Sequence, residues 1–111
     1  KYGIPLDVDL MFDVRFLPNP HYVDSLQPLT GKNKEVQDYV LKWPITQKFK
    51  DKLFDLIYFL IPQYIKEGKT HLTIGIGCTG GKHRSVTIAE KLHQFLQGDY
   101  NVLIKHRDSD K

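Results

Sequence analysis

At 111 residues the chain has room for one domain, able to bury about 65% of its unfolded surface around a single core. One cysteine excludes an intramolecular disulfide framework and suits a reducing cytoplasm, and the five histidines (His21, His71, His83, His93, His106) show no HExxH or CxxC spacing, so no metal site is expected. A net charge of +3 and a pI near 9.0 favour an anionic ligand without announcing nucleic acid, and neither a signal peptide nor a membrane-spanning run is legible.

The segment KYGIPLDVD leads into LMFDVRFL, whose composition predicts a first core strand. Alternation puts Leu10, Phe12, Val14 and Phe16 on one face and Met11, Asp13, Arg15 and Leu17 on the other. Asp13 and Arg15 thus become neighbours, as an internal ion pair or as part of a site. Pro18-Asn19-Pro20-His21 follows as a stiff turn that holds Asn19 and His21 at the strand's C-terminal end, where open parallel sheets bind ligands. Residues 22–33 read as a loop with a turn at Thr30 to Asn33.

A short helix carries Val36, Tyr39, Val40 and Trp43 on one face until Pro44 ends it, with Trp43 as a core anchor. Thr46 is placed as the cap of a longer helix whose stripe is Phe49, Leu53, Leu56, Ile57, Leu60, Ile61, Tyr64 and Ile65. Phe54, Tyr58 and Phe59 lie off that stripe, so the helix packs on two sides or offers a subunit interface, and a homo-oligomer is expected. Pro62 predicts a kink, and Gly68 closes the helix. His71 and His93 read as surface residues, and Lys48, Lys50 and Lys52, interleaved with Asp51 and Asp55, as a solvated face.

Residues 70–98 are the centre of the chain: a buried strand, a glycine-rich turn and an amphipathic helix. Leu72, Ile74 and Ile76 share one strand face; Thr73, Gly75 and Gly77 share the other, small enough for a helix to pack closely. The turn Cys78 to Ser85 follows, then Ile88, Ala89, Leu92, Phe95 and Leu96 recur at helical spacing, with Gly98 past the helix end. The free amides of the first helical turn attract phosphate or carboxylate, and Lys82 and Arg84 add charge. YNVLIKHRDSDK closes the chain with a strand through Val102, Leu103 and Ile104. The order predicts a single α/β domain over residues 1–111, a largely parallel sheet flanked by helices with a glycine-rich anion-binding loop at a strand-to-helix turn.

The turn fits more than one pattern. Gly75-x-Gly77-x-x-Gly80 matches a dinucleotide fingerprint, but Gly75 falls inside the strand and no acid ends the next strand before Asp108. A Walker loop fails, since Ile76 stands where glycine is required and His83 follows Lys82. Cys78-x-x-Gly81-x-x-Arg84-Ser85 has the spacing of cysteine-dependent phosphatases, with Cys78 as nucleophile and Arg84 holding the phosphoryl oxygens. Against that stand Gly77 before the cysteine and the lack of an evident acid loop. The remaining reading is binding without chemistry, the turn taking a phosphate while Asp13, Arg15, Asn19 and His21 read the rest of a small molecule.

FDVRFLPNPH (Phe12 to His21), GCTGGKHRSV (Gly77 to Val86) and the closing HRD (His106 to Asp108) resemble the C-terminal domain of the RapZ/YvcJ family over essentially the whole chain. The resemblance implies a bacterial cytoplasmic protein whose N-terminal P-loop domain, with its ATP or GTP, is not in this chain; Lys1 in place of methionine agrees with a piece of a longer protein. No cofactor is expected in this half. It also implies a non-catalytic regulatory domain that binds glucosamine-6-phosphate or a similar amino-sugar phosphate and acts on a small RNA, an RNase or another regulatory protein. Phosphate then falls to Thr79, Gly80, Gly81, His83, Arg84 and Ser85, with Lys82 beside them; Asp13, Arg15 and His21, with Asn19 and Cys78, contact or order the sugar. Lys105, His106 and Arg107 are the expected RNA or partner contacts, although Asp108 and Asp110 leave this tail less basic than in the RNA-binding members.

Overall fold

Two parallel strands cannot be joined by a tight hairpin, and residues 14–73 form the crossover that this chain uses instead. The computed structural model describes residues 8–78 and 82–102. Strand β1 (Leu10–Asp13) pairs in parallel with β2 (Ile74–Gly77), Leu10 opposite Ile74 and Asp13 opposite Gly77. Between them lie a single 3-10 turn (Pro20–Tyr22) and helices α1 (Lys34–Leu41) and α2 (Pro44–Lys66); α3 (Arg84–Leu96) follows β2. The three helices pack on one another and α3 packs on β2, enclosing a core of Val14, Leu17, Leu26, Val36, Val40, Leu53, Phe54, Ile57, Ile88, Leu92 and Leu96. This is the expected α/β domain with a parallel sheet, two-stranded among the described residues.

The first strand stops four residues earlier than its composition predicts. Asp13 accepts from the Arg15 amide at 2.9 Å and from Arg15 Nε at 2.7 Å, a local side-chain turn that competes with the ladder. Val14 still donates to the Gly77 carbonyl at 2.7 Å, and the Leu17 amide then closes a turn on Val14 at 3.1 Å. Alternation is lost there: Val14 and Leu17 are both buried, whereas Phe16 is 53% exposed against the edge of Phe49. The Asp13–Arg15 pair exists but is open to water, with the two side chains 49% and 54% exposed, so it is not internal. The face of β2 reserved for a helix is covered instead by Met11, whose thioether lies across Gly75 and Gly77.

Trp43 is no core anchor. The proline that follows it forces an extended backbone, and its ring lies at the surface with the Lys42 amine 5.1 Å from the centroid. Pro44 itself opens α2 at the position where a missing N–H costs nothing, which carries Thr46 past the cap into a fully buried first-turn position. The helix continues through Pro62 and ends as read: Gly68 at φ +91°, its amide on the Ile65 carbonyl (3.0 Å) and the Lys69 amide on that of Tyr64 (3.1 Å).

The buried side of α2 is Leu53, Phe54 and Ile57, while Leu56 and Ile65 of the expected stripe are exposed. Phe54 stacks at 5.1 Å on Phe95 of α3, and the Tyr58 ring meets Phe95 and Tyr100 while its hydroxyl donates to Asp99 at 3.1 Å. Of the second face of α2, Phe54 is therefore buried within the chain, while Tyr58 and Phe59 stay 43% and 62% exposed. Gly98 takes no left-handed conformation, because the Asp99 and Tyr100 amides both close on the Leu96 carbonyl at 3.0 Å. The expected last strand falls at Leu103 and Ile104 outside the described residues; Val102 is not in a strand, and its carbonyl lies 3.2 Å from Nε2 of a half-buried His93.

Candidate functional site

Parallel pairing brings the C-terminal ends of β1 and β2 to the same edge of the sheet, and α3 starts from that edge. Cys78, one residue past β2, is half-buried; its sulfur accepts from the Ser85 amide at 3.3 Å and its thiol donates to Ser85 Oγ at 3.2 Å. The end of the strand is thus fastened to the first turn of α3. Among the described residues, His83, Arg84 and Ser85 are buried and Lys82 is half-buried, whereas Thr79, Gly80 and Gly81 lie outside them, so the shape of the glycine-rich loop is not described.

Arg84 is 4% exposed, and its Nη1 donates to two backbone carbonyls of the turn after β1, those of Arg15 and Leu17, the latter at 3.2 Å. Its Nε has no partner among the described residues, and no ion pair there neutralises it. A full positive charge is thus held beside a helix N-terminus with, among the described residues, only carbonyl dipoles as its partners. Such a charge, coupled to free helical amides, favours an anion at this edge.

His83 is buried beneath the loop before α1, with Nε2 3.2 Å from the Leu26 carbonyl. Burial holds its pKa below the ordinary histidine value, and the neighbouring Lys82 charge pushes the same way. The neutral ring therefore donates its Nε2 proton to Leu26. Lys82 Nζ donates to the Gln27 carbonyl at 2.9 Å, and the Gln27 side-chain nitrogen lies 3.3 Å from His21 Nε2. Asn19 accepts from the His21 amide at 3.0 Å, capping the 3-10 turn and orienting that histidine.

The structure therefore brings together Arg15 with Arg84, His21 with Lys82 through Gln27, and Cys78 with Ser85. Asp13 and Arg15 stand exposed beside this edge, paired with each other. Lys105, His106 and Arg107 lie outside the described residues. Sequence reasoning missed Gln27, which sits in a loop with no period, and treated Gly31 as a turn marker although its amide donates to the Lys82 carbonyl at 2.8 Å. It also missed Asp9, which joins the strand starts by accepting from the Thr73 amide at 2.8 Å and pairing with Lys69 at 3.0 Å. No group of three or more metal-ligating side chains occurs among the described residues, nor is any helix among them long and apolar enough to cross a membrane.

A family model described as the RapZ C-terminal domain matches residues 1–110. The chain is 60% identical over its whole length to the nucleotide-binding protein YvcJ of Bacillus subtilis, covering 38% of that protein. It is 62% identical, again over all of its length, to a nucleotide-binding protein of Halothermothrix orenii, of which it covers 40%. The chain thus spans about two-fifths of the curated relatives it matches. With this match across a parallel α/β domain whose strand ends converge on the head of α3, the chain belongs to the RapZ C-terminal domain family.

Proposed function

We propose that this domain is a non-catalytic sensor of a phosphorylated amino sugar, glucosamine-6-phosphate or a close analogue, and that it passes the ligand's level to an RNA or protein partner. The observation that carries the reading is Arg84: a buried charge without an ion-pair partner among the described residues, at the start of α3 and fastened to the turn that bears Arg15. A phosphate at the head of α3 meets that charge, Lys82 and the first-turn amides other than those of Ser85 and Thr87, while Asp13, Arg15 and His21 offer hydrogen-bonding groups for hydroxyl and amino substituents. Thr79, Gly80 and Gly81 belong to the same proposal as backbone donors.

The nucleotide in the relatives' names is proposed to belong to a P-loop domain in the part of such proteins that this chain does not cover, so this domain needs no cofactor of its own. Lys105, His106 and Arg107 are proposed as contacts for a small RNA or a regulatory protein in the cytoplasm. Self-association, if it uses α2, rests on Phe59, 62% exposed, and Leu56, because Phe54 and Tyr58 are engaged by α3 and the residues after it.

Calorimetric titration with glucosamine-6-phosphate, with glucosamine as control, tests the reading. Binding is expected for the phosphorylated sugar alone. Lys82→Ala, which removes a charge beside the anion, is expected to weaken it by about tenfold to a hundredfold, the equivalent of one charge-assisted hydrogen bond. Equal binding of both sugars, or an unaffected Lys82→Ala protein, sinks the assignment.

A further inference from the structure

The turn that the proposed sensor depends on is held by a segment far from it in sequence. Between Leu26 and Asn33 the chain crosses the head of α3 and touches it repeatedly. The Leu26 carbonyl meets His83 Nε2 at 3.2 Å, the Gln27 carbonyl accepts from Lys82 Nζ at 2.9 Å, and the Gly31 amide donates to the Lys82 carbonyl at 2.8 Å. From α1, Gln37 reaches back and donates Nε2 to the Gly31 carbonyl at 2.7 Å, so both polar groups of the Gly31 backbone are spoken for.

Gly31 is a glycine for reasons of space. Gly68 is the one glycine among the described residues with positive φ, so no left-handed backbone at Gly31 demands it. A Cβ there, however, would stand 2.5 Å from the His83 carbonyl oxygen, 2.5 Å from the Thr87 nitrogen and 2.7 Å from Val86 Cβ. Two of those atoms are backbone, and they are the acceptor and donor of the hydrogen bond (2.9 Å) that opens α3. Any side chain at this position therefore pushes on the first helical bond itself.

The segment is braced to bear that contact. The Thr30 amide donates to Asn33 Oδ1 at 2.9 Å, the Lys32 amide to Thr30 Oγ1 at 3.1 Å and the Asn33 amide to the Thr30 carbonyl at 2.9 Å. Leu26 lies in the core and Leu29 packs against it. We propose that residues 26–33 form a strap that fixes the position of Lys82 and His83 at the head of α3, with Gly31 and Gln37 as positioning residues for the anion site. This rests on the sensor reading above. Amides and charges at a helix start select a phosphate only while they converge on one point, and a misplacement of about 1 Å is enough to lose much of that selectivity. The strap thereby makes affinity at the turn depend on α1, which never meets the ligand.

The test compares the whole 111-residue chain with its Gln37→Ala and Gly31→Ala variants at a temperature well below melting. Amide hydrogen exchange is read by NMR at Gly31 and Thr87, and calorimetry follows glucosamine-6-phosphate, inorganic phosphate and glucosamine. Loss of the Gln37 hydrogen bond is expected to speed exchange at both amides about tenfold and to weaken both phosphate ligands by a comparable factor. A merely structural defect leaves the affinity of the folded molecules unchanged. Gly31→Ala is expected to act in the same direction more strongly; should it fail to fold, Gln37→Ala decides. Wild-type exchange rates in Gln37→Ala overturn the strap whatever the wild type binds. Faster exchange with undiminished phosphate affinity overturns its positioning role. A wild-type protein that binds neither phosphate ligand overturns the anion-site reading, and the strap's role in binding falls with it.

Discussion

The guanidinium of Arg84 donates to the backbone carbonyl of Arg15, a residue of the same charge 69 positions away. Its Nη1 also serves the Leu17 carbonyl, so this one side chain ties the head of α3 to the turn that ends β1. Arg84 is therefore a fastener as well as a charge, and removing it disturbs both.

Arg84→Ala is accordingly expected to destabilise the fold. Hydrogen bonds to a charged group contribute about 1.5–3 kcal/mol, and the two carbonyls lose their donor together. At about 4–8 °C per kcal/mol for a domain near this size, the melting temperature should fall by roughly 10 °C or more. Thermal unfolding followed by circular dichroism checks this, and an unchanged melting temperature would show that the contact fastens nothing. Because Arg84 is buried, water cannot take over the lost contacts.

Stability should also fall with mild acid, through His83. Burial lowers its folded-state pKa below the unfolded value of about 6.5, so below that value the unfolded chain binds the extra proton. The sign follows: the contribution is fully present above about pH 6.5, declines as pH drops through the window between the unfolded and folded pKa values, and levels off below it. Asp9, whose pKa is lowered from 3.8 by the Thr73 amide and then Lys69, adds its dependence only in stronger acid. Melting curves between about pH 7.5 and 5.5 should show a smaller slope in His83→Gln than in the wild type. Identical slopes would remove His83 as the cause.

Gly75→Ala should be tolerated. An added Cβ would come within 2.7 Å of Met11 Sδ, but that atom belongs to a flexible side chain that is partly in water and free to rotate. Relief from glycine's entropy in a strand offsets part of the contact, so denaturant unfolding should place the variant within about 1 kcal/mol of the wild type. A larger loss would mean that Met11 is held rigidly over the sheet.

Much of this architecture was legible because it depends on local periodicity and on single punctuating residues. Val36 and Val40, Leu53 and Ile57, Ile88 and Leu92 all face the core as spacing predicts, and Gly68 terminates α2 where its conformational freedom is needed. The failures lie where a side chain's partner is distant or its geometry unusual. Nothing in LMFDVRFL reveals that Asp13 will turn back onto Arg15, nor does the helical pattern show Phe54 facing Phe95 forty-one residues on. At the site, the charge of Arg84 was readable; its direction depends on two carbonyls of another element. The role of Gln27 was hidden for the same reason, since its contacts run through a backbone oxygen as well as its amide.

The last prediction separates a sensor from a phosphatase. A cysteine phosphatase needs the thiolate at the strand end and an arginine aimed at the phosphoryl oxygens in the loop. Here the Cys78 sulfur is engaged with Ser85, and Nη1 of Arg84 is committed to the carbonyls of Arg15 and Leu17. Nε of Arg84 has no partner among the described residues and can meet a phosphate in either reading, but the acid loop that such an enzyme also needs is not evident in the sequence. The wild-type domain should therefore release no inorganic phosphate from glucosamine-6-phosphate or from an activated aryl phosphate. Cys78→Ser should bind the phosphosugar within about threefold of the wild type, because a hydroxyl can both accept from the Ser85 amide and donate to its oxygen, a change worth less than about 1 kcal/mol. Phosphate release that appears in the wild type and vanishes in Cys78→Ser would instead make this strand end a nucleophilic site and overturn the sensor assignment.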